Sequence, residues 1–137
     1  MFIPLLTVTS GTNTIVTAPT NTAAKVGTPA IFNCTVNCAE ECYVFWKYQT
    51  SKSETRVQIY TSRESDVKSD LQDKFGIERN VTNGKHNLVI KNVQTDLAAQ
   101  YVCGFAFDGA EEVAFLVAVS MCSVSWLFLL GCQYQCK

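Results

Sequence analysis

The sequence predicts an all-β domain built as a sandwich of two antiparallel sheets. Three strand-like runs, residues 30–34, 43–48 and 99–103, are rich in aromatic and β-branched residues or alternate in polarity. Cys34 ends the first run, Trp46 lies in the second and Cys103 closes the third. Two cysteines on different strands, with a large aromatic residue between them in sequence, indicate two sheets joined through their middle.

The spacing of these three residues resembles that of a V-type immunoglobulin domain. Tyr101, two residues before Cys103, matches the tyrosine corner of that family. The resemblance covers roughly residues 14–119 and implies an immunoglobulin V-type β-sandwich with Greek-key topology. It also implies a Cys34–Cys103 disulfide with Trp46 packed against it.

The last strand of the domain only partly follows the antigen-receptor pattern. Antigen-receptor variable domains open this strand with Phe-Gly-x-Gly, whereas residues 107–110 here read Phe-Asp-Gly-Ala. By position, only Phe107 of that motif is kept. The resemblance is therefore to an antigen-receptor-like variable domain with a degenerate joining segment.

Length and composition indicate one domain with short extensions. The 137 residues are 47% hydrophobic, which is enough for a full core, and the net charge is −1. So balanced a charge offers no electrostatic footprint for nucleic acid. Seven cysteines in so short a chain indicate an oxidising compartment, so we expect an extracellular protein, secreted or at the cell surface.

The chain divides into three parts. Residues 1–13 make a poor signal peptide, because their apolar stretch is short and has no basic residues before it, and they are interpreted as a residual leader or an engineered start. Residues 14–119 form the domain, and residues 120–137 form an apolar, Cys-rich tail. Two interpretations of the tail stay open, an extra packed strand or a truncated membrane or anchor segment. Its apolar part, 121–134, is shorter than the about 20 residues of a membrane span.

Five cysteines lie outside the central pair. Cys38 and Cys42 can bond across the loop at 37–42, or one of them can reach the tail. Cys122, Cys132 and Cys136 then supply one internal pair and one thiol that is free or bonds another chain, because seven is odd.

Proline and glycine residues predict where strands are interrupted or joined by turns. Pro19 interrupts residues 15–25, which suits an edge strand that switches sheets. Asn83-Gly84 predicts a two-residue hairpin turn between strands at 75–82 and 85–93. A second two-residue turn, at Asp108-Gly109, places Cys103 opposite Ala114.

One outward face is unusually apolar. Because Trp46 faces inward, its neighbours on the same strand face outward, and so do alternate residues of the last strand. In the family, paired variable domains meet through the sheet of strands C, F and G, which correspond here to the runs at 43–48 and 99–103 and to the last strand. Gln49 holds the position of a Gln that meets its counterpart, and Lys47 stands where Tyr or Val is usual. The predicted homodimer interface is Phe45, Lys47, Gln49, Val113, Phe115 and Val117. The alternative is that residues 126–130 of the tail fold over this face.

Two loops at one end of the domain, and two sequons, are further candidate sites. The loops carry an acidic rim suited to a basic partner, formed by Glu40, Glu41, Asp108, Glu111 and Glu112. Phe107, in the second loop, is a further candidate ligand contact. Asn33-Cys34-Thr35 and Asn80-Val81-Thr82 are candidate glycosylation sites at Asn33 and Asn80.

The residue types predict recognition rather than catalysis. His86 is the single histidine and follows an Asn-Gly turn, so we expect a solvated loop residue with no nucleophile beside it. No zinc-ligand set, phosphate loop or cofactor motif is expected. The predicted function is that of an extracellular recognition domain of an immune-type receptor or adhesion protein, which self-associates through this C/F/G sheet. A secreted domain that binds microbial surface molecules and a purely structural, self-associating domain are the alternatives.

Overall fold

The computed structural model describes residues 13–51, 55–107 and 109–120. Three short 3₁₀ turns, Ser69–Leu71, Val81–Asn83 and Thr95–Leu97, connect strands. The strands are β1 (Thr14–Thr17), β2 (Thr22–Lys25), β3 (Ala30–Phe32), β4 (Thr35–Asn37), β5 (Val44–Thr50), β6 (Val57–Thr61), β7 (Phe75–Asn80), β8 (Lys85–Ile90), β9 (Ala99–Phe105) and β10 (Glu111–Val119).

The strands form two sheets, which confirms the predicted all-β sandwich. The first sheet has the order β1-β4-β8-β3, with β7 also paired to β8, and the second has the order β2-β10-β9-β5-β6. As expected, the chain changes sheet around Pro19, because β1 pairs with β4 whereas β2 pairs with β10. The β2–β10 pairing is parallel, so the second sheet is mixed and not purely antiparallel as predicted.

The Cys34–Cys103 disulfide joins the two sheets across the core, with the two Cα atoms 6.6 Å apart. Trp46 lies directly opposite Cys103 in the β5–β9 ladder and is fully buried. Its indole nitrogen donates a hydrogen bond of 2.7 Å to the carbonyl of His86 in the first sheet. The indole therefore ties the sheets together by a polar contact as well as by packing.

Tyr101 forms the expected tyrosine corner. Its hydroxyl donates to the carbonyl of Leu97 at 2.7 Å, within the turn that precedes β9. The ring stacks on Tyr48 with centroids 5.7 Å apart, and burial raises the pKa of the Tyr101 hydroxyl. The phenol is therefore held neutral as a donor, which fixes the start of β9.

The predicted two-residue turn at Asn83-Gly84 is wrong. Asn80 pairs with Lys85, so four residues connect β7 to β8, and three of them form a 3₁₀ turn. Gly84 has a φ of 76° and a Cβ there would collide with the Val36 carbonyl. Glycine is needed here, but as the last residue of a longer loop whose backbone touches β4.

The predicted register of the β9–β10 hairpin is also wrong, by two residues. Cys103 lies opposite Glu112 and not opposite Ala114. The connection is longer than a two-residue turn, because the amide of Phe105 donates to the carbonyl of Ala110 at 3.0 Å. A shift of two keeps every side chain on its predicted face, so Ala114 is buried as expected.

The first prediction concerns the disulfide between the sheets. Replacing both Cys34 and Cys103 by Ala should lower the free energy of unfolding by about 4 kcal/mol, since the bridge closes a long loop in the unfolded chain. Chemical denaturation of wild type and double variant measures this difference. A loss below about 1 kcal/mol would contradict the central role of the bridge.

Candidate interaction sites

An apolar strip runs along the outward face of β10. Its residues are Val113, Phe115, Val117 and Val119, and each is between 38% and 56% exposed. The side chains alternate with buried Ala114 and Leu116, so the strip follows from strand parity. The backbone amide of Phe115 donates to the side chain of Asn21 at 2.9 Å, which covers part of the strand edge beside β2.

The centre of the same sheet face is already covered. Phe45 points outward as predicted but is only 8% exposed, because it packs over Gly104, where no side chain intervenes. The ammonium group of Lys47 lies 4.5 Å from the centroid of the Phe45 ring. Val102, the next outward residue of β9, is fully buried. Phe45 is therefore not available as an exposed contact residue of the predicted interface, because neighbouring residues of the same sheet face bury it.

An ion pair extends over this covered centre. Arg56, just before β6, makes two contacts with the Glu111 carboxylate at the start of β10, at 3.0 and 3.1 Å. In the sheet, β5 and β9 lie between β6 and β10, so the pair bridges both strands. The two side chains are about one-third exposed, which limits the stabilisation to about 1 kcal/mol or less.

A shallow depression adjoins the apolar strip. It has a volume of about 550 Å³ and lies where β5 ends and β9 begins. Phe115, Val117, Gln49 and Gln100 are among its lining residues, and Gln100 lies between Gln49 and Phe115 in the sheet. The structure therefore places Gln49 beside the strip, whereas Lys47 lies over Phe45 at the centre.

Three loops at one end bring an arginine against two aromatic rings that touch each other. The guanidinium carbon of Arg63 lies 4.4 Å from the ring centroid of Tyr43 and 5.5 Å from that of Phe107. The two rings meet edge to face at 6.2 Å. Sequence reasoning missed this group, because Arg63 follows β6 and nothing in the local sequence relates it to the other loops.

The predicted acidic rim is therefore mixed in charge. Glu40, Glu41 and Glu112 are exposed, but Glu111 is paired with Arg56 and the cation of Arg63 lies among the loops. Asp108 lies outside the described residues. A disulfide joins Cys38 to Cys42 within the first loop. The tail cysteines Cys122, Cys132 and Cys136 also lie outside the described residues.

His86 is buried, which contradicts the expected solvated loop position. It lies on β8 at 5% exposure, on the inward parity of Leu88 and Ile90. The alternation with Leu88 and Ile90 is visible in the sequence and could have predicted that His86 is buried. Its side chain borders a cavity of about 540 Å³ between β4, the loop that follows β4 and the turn at Val81–Asn83.

A hydrogen-bond chain fixes the protonation of this histidine. Arg79 donates to the Tyr60 hydroxyl at 3.2 Å, and this hydroxyl shares a hydrogen bond of 2.9 Å with Nδ1 of His86. Burial, and secondarily the positive charge of Arg79, lowers the pKa of His86 to about 4. The imidazole is thus neutral at physiological pH.

The second prediction follows from this lowered pKa. Because the unfolded chain takes up the proton near pH 6.5, the stability that neutral His86 supports is lost as pH falls from about 6.5 towards 4. His86→Asn removes the titrating group. Thermal unfolding at several pH values should show a smaller loss for the variant than for wild type over this range. Parallel pH profiles would contradict the assignment.

Together, the sandwich, its inter-sheet bridge and these open surfaces define an immunoglobulin-type binding domain. The family model of the immunoglobulin V-set domain matches residues 17–115, and the chain belongs to that family.

Solved structures agree at the level of the fold. The chain is similar to a structure described as the titin M10–obscurin-like 1 Ig complex, with a TM-score of 0.57 and 16% identity over 78% of this chain and 93% of that one. No curated protein matches the sequence significantly. Among the described residues, no helix is long and apolar enough to cross a bilayer.

Proposed function

We propose that this V-set domain is an extracellular recognition domain of an immune-type receptor or adhesion protein, and that it self-associates through the outer face of its second sheet. The observation that carries the proposal is the apolar strip Val113, Phe115, Val117 and Val119. Four successive outward positions of a solvated strand are normally polar. Apolar residues at all four of these positions depart from that rule, and this departure is what favours an interface.

The position of the strip indicates how two copies meet. The centre of the face is occupied by Lys47 over Phe45 and by the Arg56–Glu111 pair, all of which carry charge or are already buried. Desolvating those charges would oppose association. The contact is therefore centred on β10, with the depression beside Gln49 and Gln100 at its flank.

The size of the strip limits the affinity. Six residue steps along a strand span ~20 Å and two strand spacings ~10 Å, which gives ~200 Å² of apolar surface. A standard stable interface buries about 800 Å² on each partner. The strip alone is too small, so polar residues around it must contribute, and we expect a reversible dimer in the micromolar range.

The third prediction tests this interface. Phe115→Glu places a charge within the strip and should convert a wild-type dimer into a folded monomer, measured by sedimentation velocity over a concentration series. Ile31→Glu is the matched control, because Ile31 is 46% exposed against 49% for Phe115 but lies on the other sheet. The control should dimerise like wild type.

Three outcomes would contradict the proposed dimer. The first is a wild type that stays monomeric at high micromolar concentration. The second is a Phe115→Glu variant that dimerises unchanged. The third is loss of dimer in both variants, which would place the contact elsewhere. If Phe115→Glu alone unfolds, Phe115 is covered within the chain, as the tail alternative requires.

A second candidate function is the binding of microbial surface molecules by a secreted form, and the Arg63 group favours it. An arginine held against Tyr43 and Phe107 offers a planar cation beside aromatic surface, which suits ligands that combine negative charge with apolar or ring faces.

The fourth prediction separates this function from the dimer. On an array of bacterial polysaccharides, Arg63→Ala should lower binding at least tenfold, and Arg63→Lys should recover only part of it because the planar stacking is lost. Phe115→Glu should bind like wild type at equal monomer concentration. Equal binding by all Arg63 variants would exclude this site.

A further inference from the structure

Both sequons of the chain lie on the sheet opposite the apolar strip. The sequence holds two Asn-x-Thr motifs, at Asn33 and Asn80. Asn33 is exposed between buried Phe32 and Cys34, so its side chain points away from the core. Asn80 is the exposed last residue of β7, on the parity opposite to buried Phe75.

The strand register places the two asparagines near each other. Asn80 pairs with Lys85, and Lys85 also pairs with Thr35, two residues after Asn33. Two strand spacings and two residue steps put Asn33 and Asn80 ~12 Å apart on one face. The apolar strip faces the other way, across a sandwich whose sheets are ~10 Å apart.

The turn at Asn80 is suited to modification. The Oδ1 atom of Asn80 accepts a hydrogen bond from the Thr82 amide at 3.1 Å. Glycan transfer uses the other side-chain atom, Nδ2, which attacks the anomeric carbon of a lipid pyrophosphate-linked oligosaccharide. The new N–C bond replaces the C–O bond to the pyrophosphate, which leaves with the lipid, and Nδ2 loses one proton. The hydrogen bond of Oδ1 can persist in the product.

We propose that N-linked glycans at Asn80 and Asn33 cover the first sheet and leave the second sheet as the open face for association. The second part of this inference, that the second sheet is left open for association, rests on the proposed function. Transfer at Asn33 competes with folding, because Cys34 in the middle of that sequon becomes buried in the bridge to Cys103. Asn80, in an exposed turn, has no such competitor. We therefore expect full occupancy at Asn80 and partial occupancy at Asn33.

Site occupancy is measured on the full chain secreted from eukaryotic cells, by peptide mass mapping before and after enzymatic glycan removal. Thr82→Ala should remove the glycan at Asn80, whereas the matched Thr82→Ser, which keeps the sequon, should retain it. Thr35→Ala and Thr35→Ser form the same pair for Asn33. Secreted wild type without a glycan at Asn80 would overturn the proposal, whatever its oligomeric state.

The orientation is tested by comparing glycoforms in sedimentation velocity. Native and enzymatically deglycosylated wild type should dimerise equally, because the glycans face away from the contact. The double substitution Phe115→Asn with Val117→Thr creates a sequon on the strip. Its glycosylated form should be monomeric. A wild-type dimer that appears or disappears on deglycosylation would overturn the shielding claim. Glycosylated protein that is monomeric in every form would overturn the proposed self-association and leave the modification sites standing.

Discussion

The fixed connection between the two sheets is the constraint on which the rest of the structure depends. The Cys34–Cys103 bridge sets the distance between the sheets, and Trp46 opposite Cys103 fills the space beside that bridge. With Cys103 facing inward, strand parity forces Val102 and Gly104 outward. The missing side chain at Gly104 leaves room for Phe45. The core therefore determines which residues of β9 form the outer face and where Phe45 can pack on it.

That face divides into a covered centre and an open flank on β10. Lys47 and the Arg56–Glu111 pair cover the centre with charge, whereas the outward side of β10 remains apolar. Charges around a modest apolar strip favour a specific, reversible contact over tight association. The mixed charge of the loop end, with Arg63 packed against both Tyr43 and Phe107, makes a second surface that is chemically distinct from the first.

Local pattern was enough to predict the all-β fold and the face of each residue on β10, and the resemblance carried by Cys34, Trp46 and Cys103 implied the inter-sheet bridge. The predicted inward or outward direction of each β10 side chain was correct even though the β9–β10 register was wrong, because the error in register was an even number of residues. The lengths of the β7–β8 and β9–β10 loops were not predicted. A Gly at a turn indicates that the backbone adopts a positive φ there, but it does not indicate how many loop residues precede it. Burial of Phe45 and the Arg56–Glu111 pair depend on residues far apart in sequence, which no local pattern relates.

The central claim is that a second copy of the chain covers the strip on β10. Hydroxyl-radical footprinting over a dilution series tests it directly, because Phe115 and Phe107 report on the strip and the loop end of the same molecule. We predict that oxidation of Phe115 rises on dilution while that of Phe107 stays constant. Oxidation of Phe115 that is independent of concentration would contradict the claim, whether Phe115 is always open or always covered within its own chain.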